Sequence, residues 1–146
     1  MNSSFIRVLL ALVLFGPVTG ALAQTAALKA SASALAPAGG TLTLTATASY
    51  TARPQALGWA IVLPADWTLV GISGSNVPEI APVAGEGGVL EFAFTAVPPV
   101  GAEFSVVVRY PPAAPKAEIA ATVLVRADGK LTTLRPPVVG LTGIGS

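Results

Sequence analysis

The sequence predicts an all-β protein, an antiparallel two-sheet β-sandwich of jelly-roll or immunoglobulin-like type with about seven to nine strands. Three observations favour this fold class. Large apolar residues alternate with small or polar ones along several short segments, which indicates strands with one face in a core. Turn residues separate these segments about every 8–12 positions. The thirteen prolines lie mostly between the segments or at their ends.

Residues 1–23 have the layout of a secretory signal peptide. A single charge, Arg7, precedes the apolar run Val8–Phe15, and the sequence ALA at 21–23 is a small-x-small cleavage site. A bilayer-spanning helix needs about 20 apolar residues, so a retained anchor or a buried helix is the less favoured alternative. We expect cleavage after Ala23, no transmembrane segment in the mature chain, and a secreted location that is periplasmic, extracellular or at the cell surface of a bacterium.

Charge and residue usage exclude several functions. The chain has eight basic and seven acidic residues, and loss of Arg7 leaves the two signs balanced. Such a neutral domain lacks the basic surface of a nucleic-acid-binding protein. Cysteine and histidine are both absent, which excludes disulfides, Cys/His zinc sites, Ser-His-Asp triads and cysteine nucleophiles. We predict a non-enzymatic protein without a cofactor or a metal.

The first part of the mature chain alternates weakly. Residues 24–39 are predicted to form a flexible lead with a weak edge strand at Ala27–Leu35, where alanine alternates with lysine and serine. A short helix is the alternative, because alanine is the best helix former. Thr41–Tyr50 is the clearest strand, with leucine and alanine on one face and threonine on the other. The β-sandwich domain is expected at residues 40–135.

Most of the core volume falls in Ala56–Thr95, which holds both tryptophans and two of the five phenylalanines. Trp59 and Phe92 share the parity of the large apolar residues, so both are predicted to be buried. The Gly-, Ser- and Pro-rich residues 73–88 between these strands form the longest predicted loop.

Three further strands are expected at Phe104–Tyr110, Ile119–Val125 and Lys130–Leu134. Asp128-Gly129 stands between the last two and is the strongest hairpin signal in the chain, because both residues readily take a positive φ. Two prolines then stop strand pairing, and residues 136–146 are predicted to be a flexible tail.

The order of these strands resembles a known family. A Thr-rich strand, ALGWAIVLPADWTLV, a polar loop, GVLEFAFT and a following F-x-V-x-V strand are similar to cohesin-like β-sandwich modules of bacterial surface proteins, over roughly Gly40–Leu134. Cohesins resemble carbohydrate-binding modules in fold, and they bind dockerin partners through one sheet face. The resemblance implies a sandwich fold and a role in protein interaction. It transfers no functional residue to this chain.

The acidic residues give little indication of catalysis. A glycosidase needs two carboxylates facing one another across the bond that is cleaved. Glu91 and Glu103 lie on or beside successive predicted strands and are the one pair that could meet, although two solvated outward positions explain them better. The spacing D-x-D-x-D typical of a calcium loop does not occur.

Aromatic residues are the remaining ligand candidates, because a flat ring can stack on a sugar. Tyr50 and Trp59 have the parity of core residues. Trp67 begins its strand beside a turn and is expected to be more open, with packing under the Pro64 corner as the alternative. We take Trp67 and Tyr110 as weak ligand-contact candidates.

Two functions remain after these exclusions. The first is a non-catalytic module for protein–protein interaction or cell-surface assembly, including self-association through the N-terminal strand. The alternative is a small carbohydrate-binding module that recognises a polysaccharide. Coplanar, exposed aromatic rings on one face are the feature that distinguishes the second from the first.

Overall fold

The computed structural model describes residues 24–145, and the predicted signal peptide at residues 1–23 lies outside them. The described chain consists of strands joined by turns and loops, and it contains no helix able to cross a membrane. In chain order the nine strands are β1 Gln24–Ala30, β2 Gly40–Tyr50, β3 Ala56–Val62, β4 Thr68–Ser73, β5 Val89–Phe94, β6 Gly101–Tyr110, β7 Ala117–Ala127, β8 Lys130–Leu134 and β9 Val139–Leu141.

Two antiparallel sheets pack face to face. The first has the strand order β1-β2-β6-β4, and the second has the order β5-β3-β7-β8, with β9 also paired to β7. This arrangement confirms the predicted all-β sandwich. Between residues 24 and 145, consecutive strands pair only in the β1–β2 and β7–β8 hairpins. Most strand pairs therefore join segments that are far apart in the sequence.

The alternation in the sequence decides which face of each strand is buried. In β2, Leu44 and Ala46 are fully buried, whereas the threonines that alternate with them face outward. Leu44 lies opposite Val106 of β6, which is also fully buried. Because a register shift of one residue would turn every core side chain to the solvent, this match of parity fixes the pairing of the two central strands.

Aromatic side chains fill the space between the sheets. Phe104 of β6 is fully buried and contacts Trp59, Phe92 and Phe94 of the other sheet, at ring-centroid distances of 5.9, 5.2 and 6.1 Å. Trp59 and Phe92 lie opposite each other on β3 and β5. Their burial confirms the prediction made from their parity.

The predicted hairpin is also present. Asp128 and Gly129 connect β7 to β8 and have φ angles of 54° and 72°. Two consecutive positive φ angles give the turn a twist that matches the flanking strands. Ala127 and Lys130 close the hairpin as the last paired residues.

The prediction differs from the structure at both ends of the domain. An edge strand is present in the lead, but β1 begins at Gln24 and ends at Ala30, earlier than the predicted Ala27–Leu35, and it pairs with β2 along all seven of its residues. The expected flexible tail contains β9, and Leu141 is buried against the core. The Thr142 N–H donates to the Ser33 carbonyl at 2.9 Å, and the Ile144 N–H donates to the Ala114 carbonyl at 2.8 Å. Pairing therefore resumes after the two prolines, because alternate apolar residues continue beyond them.

Candidate interaction surface

The two ligand-contact candidates come together in the structure, but both are buried. Trp67 is 3% exposed and Tyr110 6% exposed, and their ring centroids are 5.3 Å apart. The Tyr110 hydroxyl accepts a hydrogen bond from the Ala36 N–H at 2.9 Å. The backbone N–H of Trp67 donates to the Pro64 carbonyl at 3.2 Å. The more open position expected for Trp67 is therefore wrong, and packing beneath the Pro64 corner describes it instead.

A depression of about 570 Å³ lies outside this pair. Its walls are mainly turn segments, with Pro64–Trp67 on one side and Pro111–Glu118 on the other. Because the rings beneath it are almost fully covered, the depression offers them no access to a ligand. It is a gap between two corners, and its charged lining residues are Asp66, Lys116 and Glu118.

No exposed aromatic platform exists in residues 24–145. Every tryptophan, tyrosine and phenylalanine in this part of the chain is buried. Tyr50 illustrates why: its hydroxyl donates to the Pro98 carbonyl at 2.6 Å, and its burial raises the pKa of the phenol. The feature that distinguishes a sugar-stacking module is absent from this region.

The carboxylate pair considered for catalysis is not a pair in the structure. Glu91 lies on β5 and Glu103 on β6, and these strands belong to different sheets. Both side chains point outward from the sandwich and are exposed. Among the described residues no cluster of three or more potential metal ligands occurs. The two glutamates are therefore better described as solvated surface residues than as a catalytic pair.

The outer face of the five-stranded sheet has a different character from that of its partner. On the outer face of the four-stranded sheet, β2 places a row of hydroxyl side chains, namely Thr41, Thr43, Thr45, Thr47 and Ser49. The corresponding outward residues of β3 are Ala56, Gly58, Ala60 and Val62. The central strand β3 therefore has no polar side chain on its outer face.

An apolar row crosses this face at right angles to the strands. Ile80 pairs with Ala93, Ala93 with Gly58, and Gly58 with Leu124. Ile80 and Leu124 are 57% and 44% exposed. They stand three strand spacings apart, about 14 Å, and the residues between them have small side chains or none. The result is an apolar groove with a raised side chain at each end.

The groove has a volume of about 340 Å³. Its polar side is formed by Glu91 and Thr122, which lie on either side of Ala60 in the neighbouring row. Gly58 keeps the floor low because it has no side chain. A Cβ at this position would lie 3.3 Å from the Phe92 carbonyl oxygen, so a larger residue would fit poorly. The groove thus combines an apolar floor with one carboxylate and one hydroxyl at its rim.

The wall formed by Ile80 depends on the long loop. Ile80 and Ala93 exchange two backbone hydrogen bonds, at 3.1 and 2.9 Å, which attach the loop to the edge of β5. The adjacent Glu79 carboxylate accepts a hydrogen bond from the Thr95 N–H at 2.8 Å. This backbone contact holds the pKa of Glu79 below its ordinary value. The predicted loop is therefore fastened to the sheet at the point where it borders the groove.

Sequence reasoning missed this surface, although a signal for it was present. The inward parity of Ala56–Val62 attracted attention because it contains Trp59. The outward parity consists of alanine, glycine and valine, where a solvated sheet face ordinarily carries threonine, lysine or glutamate. The row itself could not be read from the sequence, because Ile80 reaches it from a loop.

Comparison with known proteins supports no family assignment. No protein-family model matches the sequence. No curated protein matches it either. Among solved structures, the chain is similar to a DUF4466 family protein from Parabacteroides merdae, with a TM-score of 0.49 and 10% identity over 83% of this chain and 44% of that one. It is also similar to the C-terminal domain of the AgI/II polypeptide BspA from Streptococcus agalactiae, with a TM-score of 0.45 and 11% identity over 82% of this chain and 49% of that one. The chain thus spans less than half the length of either structure.

Proposed function

We propose that this protein is an exported, non-catalytic module that binds a protein partner through the apolar groove on the five-stranded sheet. The row formed by Ile80, Ala93, Gly58 and Leu124 is the observation that carries the proposal. Two large apolar side chains exposed on either side of a low apolar floor lose contact with water when a partner segment fills the space between them. A cohesin-like role in assembly at the bacterial surface is the form of this function that the strand order suggests.

The chemistry of the groove describes the partner segment. Its floor accepts an aliphatic or aromatic side chain, and the Glu91 carboxylate and the Thr122 hydroxyl accept hydrogen bonds from donors beside it. Surface contact of this kind is specific because a buried donor without a partner is costly. Sugar binding by ring stacking has no support in the described residues, since their aromatic side chains are all in the core.

Site-specific cross-linking in the source organism tests the proposal. A photoreactive amino acid replaces Leu124 in one variant and Thr45, on the opposite outer face, in a second. We expect a protein adduct from position 124 that position 45 does not give, and mass spectrometry identifies it. The purified partner should then bind the Leu124→Glu variant at least about tenfold more weakly, or about 1.4 kcal/mol, and should bind Thr45→Glu normally. Equal adducts, or equal affinities for the two variants, would refute a role for the groove.

Export is tested by the intact mass of the protein recovered from cell fractions. We expect a chain that begins at Gln24, in a periplasmic, surface or medium fraction. This start would place the new amino terminus at the first residue of β1. A mass that includes residues 1–23, in a cytoplasmic fraction, would contradict export and leave the groove experiment unaffected.

A further inference from the structure

The two sheets of the sandwich expose four edges, and three of these are protected. Exposed edges are templates for pairing with other chains, and proteins block them with bulges, charges, prolines or covering loops. The four-stranded sheet ends at β1 and β4. The five-stranded sheet ends at β5 and at the side shared by β8 and β9.

The long loop covers the edges of β4 and β5. On β4, the Leu69 N–H donates to the Glu86 carbonyl at 2.8 Å, and the Leu69 carbonyl accepts from the Gly85 N–H at 2.8 Å. A bulge interrupts the same strand between Leu69 and Gly71. On β5, the pairing of Ile80 with Ala93 engages one end of the edge. One loop therefore protects both edges on this side of the sandwich.

Other features protect the β8 side. β8 has only five residues, begins with Lys130, and is followed by Arg135 and two prolines. A short edge strand with flanking charge and proline is poorly suited to pair with another chain. β9 adds three residues, and the chain beyond it pairs with Ser33 and Leu35.

The outer edge of β1 has no such protection. The strand has seven residues without proline or glycine, and its one charged side chain is Lys29, on the outer face. Within residues 24–145, no loop or tail segment makes a backbone hydrogen bond to its free edge. Among the described strands, β1 is therefore the edge with the longest run of backbone groups that no other segment engages.

The register shows which groups of β1 face outward. The Ser31 N–H donates to the Thr43 carbonyl at 2.9 Å, so residues at odd positions direct their backbone groups toward β2. In an antiparallel ladder this direction alternates from residue to residue. Gln24, Ala26, Leu28 and Ala30 therefore present N–H and C=O groups at the free edge.

We propose that a second copy of this chain pairs with this edge, β1 against β1, antiparallel and with the two-fold axis at Ala27. This register places Gln24 opposite Ala30 of the second copy and Ala26 opposite Leu28. All four outward-directed residues of each strand then find partners. The four-stranded sheets of two molecules join into one continuous sheet of eight strands, and β1 stays in its own sandwich. This proposal is independent of the groove on the other sheet.

Side chains agree with this register. Lys29 lies opposite Thr25 of the second copy, so no like charges face each other across the axis. Ala27 meets its own copy with two methyl groups, which allows close approach. A contact confined to one pair of strands is below the size of a stable interface. We therefore expect reversible dimers that form as the concentration rises.

A cysteine scan tests the register, because the protein has no cysteine of its own. Three variants of the mature chain, Thr25→Cys, Ala27→Cys and Lys29→Cys, place one thiol each on the same outer face of β1. At the axis the two copies of residue 27 form a non-hydrogen-bonded pair with Cα atoms about 4.5 Å apart, within the range that a disulfide bridges. The copies of residue 25, and those of residue 29, are about 13 Å apart.

We expect copper phenanthroline in air to convert Ala27→Cys to a disulfide-linked dimer at least tenfold faster than the other two variants. Equal rates at the three positions would reject this register. Sedimentation equilibrium provides a second measurement. Ala26→Pro removes an N–H that faces the free edge, and it should raise the dimer dissociation constant at least tenfold while circular dichroism stays unchanged. A wild-type protein that remains monomeric at millimolar concentration overturns the proposal.

Discussion

The indole of Trp59 stands edge-on to the ring of Phe104, with ring centroids 5.9 Å apart and planes at 87°. The two residues belong to opposite sheets, so this contact joins the halves of the sandwich. Edge-to-face pairs contribute about 0.5–1.5 kcal/mol beyond the burial of their area. Phe104 makes two further ring contacts across the same interface, a tilted one with Phe92 and an edge-to-face one with Phe94.

We predict that Phe104→Ala and Trp59→Ala each lower the free energy of unfolding by about 3–5 kcal/mol, because each removes a large buried ring and leaves a cavity. Domains of this size have a total stability of about 5–15 kcal/mol, so either variant should be close to unfolding. Urea denaturation followed by tryptophan fluorescence or circular dichroism measures the change. Val100→Ala, at a residue that is 77% exposed, is the control and should be neutral. A Phe104→Ala variant as stable as this control would contradict the central position of Phe104.

We expect Trp59→Phe to change stability by no more than about 1 kcal/mol. The Trp59 indole nitrogen is buried without a hydrogen-bond partner, and a buried donor in this state costs about 1–3 kcal/mol. Phenylalanine removes that donor, which offsets the lost ring volume. Trp67→Phe is the matched variant, because the same ring change is made there at a tryptophan whose indole nitrogen is not among the buried unpaired donors. If Trp59→Phe proves the more damaging of the two in thermal unfolding, the orphaned N–H is not a significant cost.

The β7–β8 turn allows a test of backbone strain. Gly129 has a φ of +72°, and a Cβ added there would meet no atom within 4 Å. Gly129→Ala should therefore destabilise the protein by about 1–2 kcal/mol through its left-handed backbone alone. Gly140 has the same free space without a positive φ, so Gly140→Ala is the control and should not destabilise. Equal melting temperatures for the two variants would show that the turn adopts another conformation in solution.

The contact between Glu79 and Thr95 should depend on pH. Hydrogen bonding to the Thr95 N–H lowers the pKa of the Glu79 carboxyl from its ordinary value of 4.5. A carboxyl with a lowered pKa contributes its stabilisation above the pKa of the unfolded chain and loses it as the pH falls through the lower, folded value. An NMR titration of the Thr95 amide should show a midpoint below 4.5. Glu79→Gln should abolish this titration, and a wild-type midpoint at or above 4.5 would be incompatible with the contact.

Much of the fold could be predicted from the sequence because it depends on local alternation. Leu44 and Val106 are buried, as their positions in the alternating pattern of their strands predict. The Asp128-Gly129 turn forms because both residues tolerate a positive φ. Strand order could not be predicted in this way. Successive strands such as β5 and β6 lie in different sheets, and the residue pattern within each strand does not indicate which sheet the strand joins. For that reason the sequence alone could not exclude a meeting of Glu91 and Glu103, whereas their positions in different sheets exclude it.

The Trp67–Tyr110 pair and the tail show the same limit. Trp67 lies between a turn and the first residue of β4, a position that is usually open, but the ring of Tyr110 packs against it from the distant strand β6. The hydrogen bonds of Thr142 with Ser33 and Leu35 are possible only after the whole sandwich has closed. Contacts between residues so far apart leave no periodic trace in the sequence.

The pairing of β2 with β6 also decides when the sandwich can form. Thr43 pairs with Val107, and at about 5–20 residues per second a ribosome needs several seconds to make the chain between them. The β1–β2 hairpin can close within about 10 microseconds, but a lone two-stranded hairpin is only marginally stable, and its inner face stays uncovered for that interval. Besides its alanines, that face carries Leu28, Leu42, Leu44 and Tyr50. Apolar side chains of this size are exposed to other chains until β6 is made, so the interval between β2 and β6 is the time at which the growing chain is most open to aggregation.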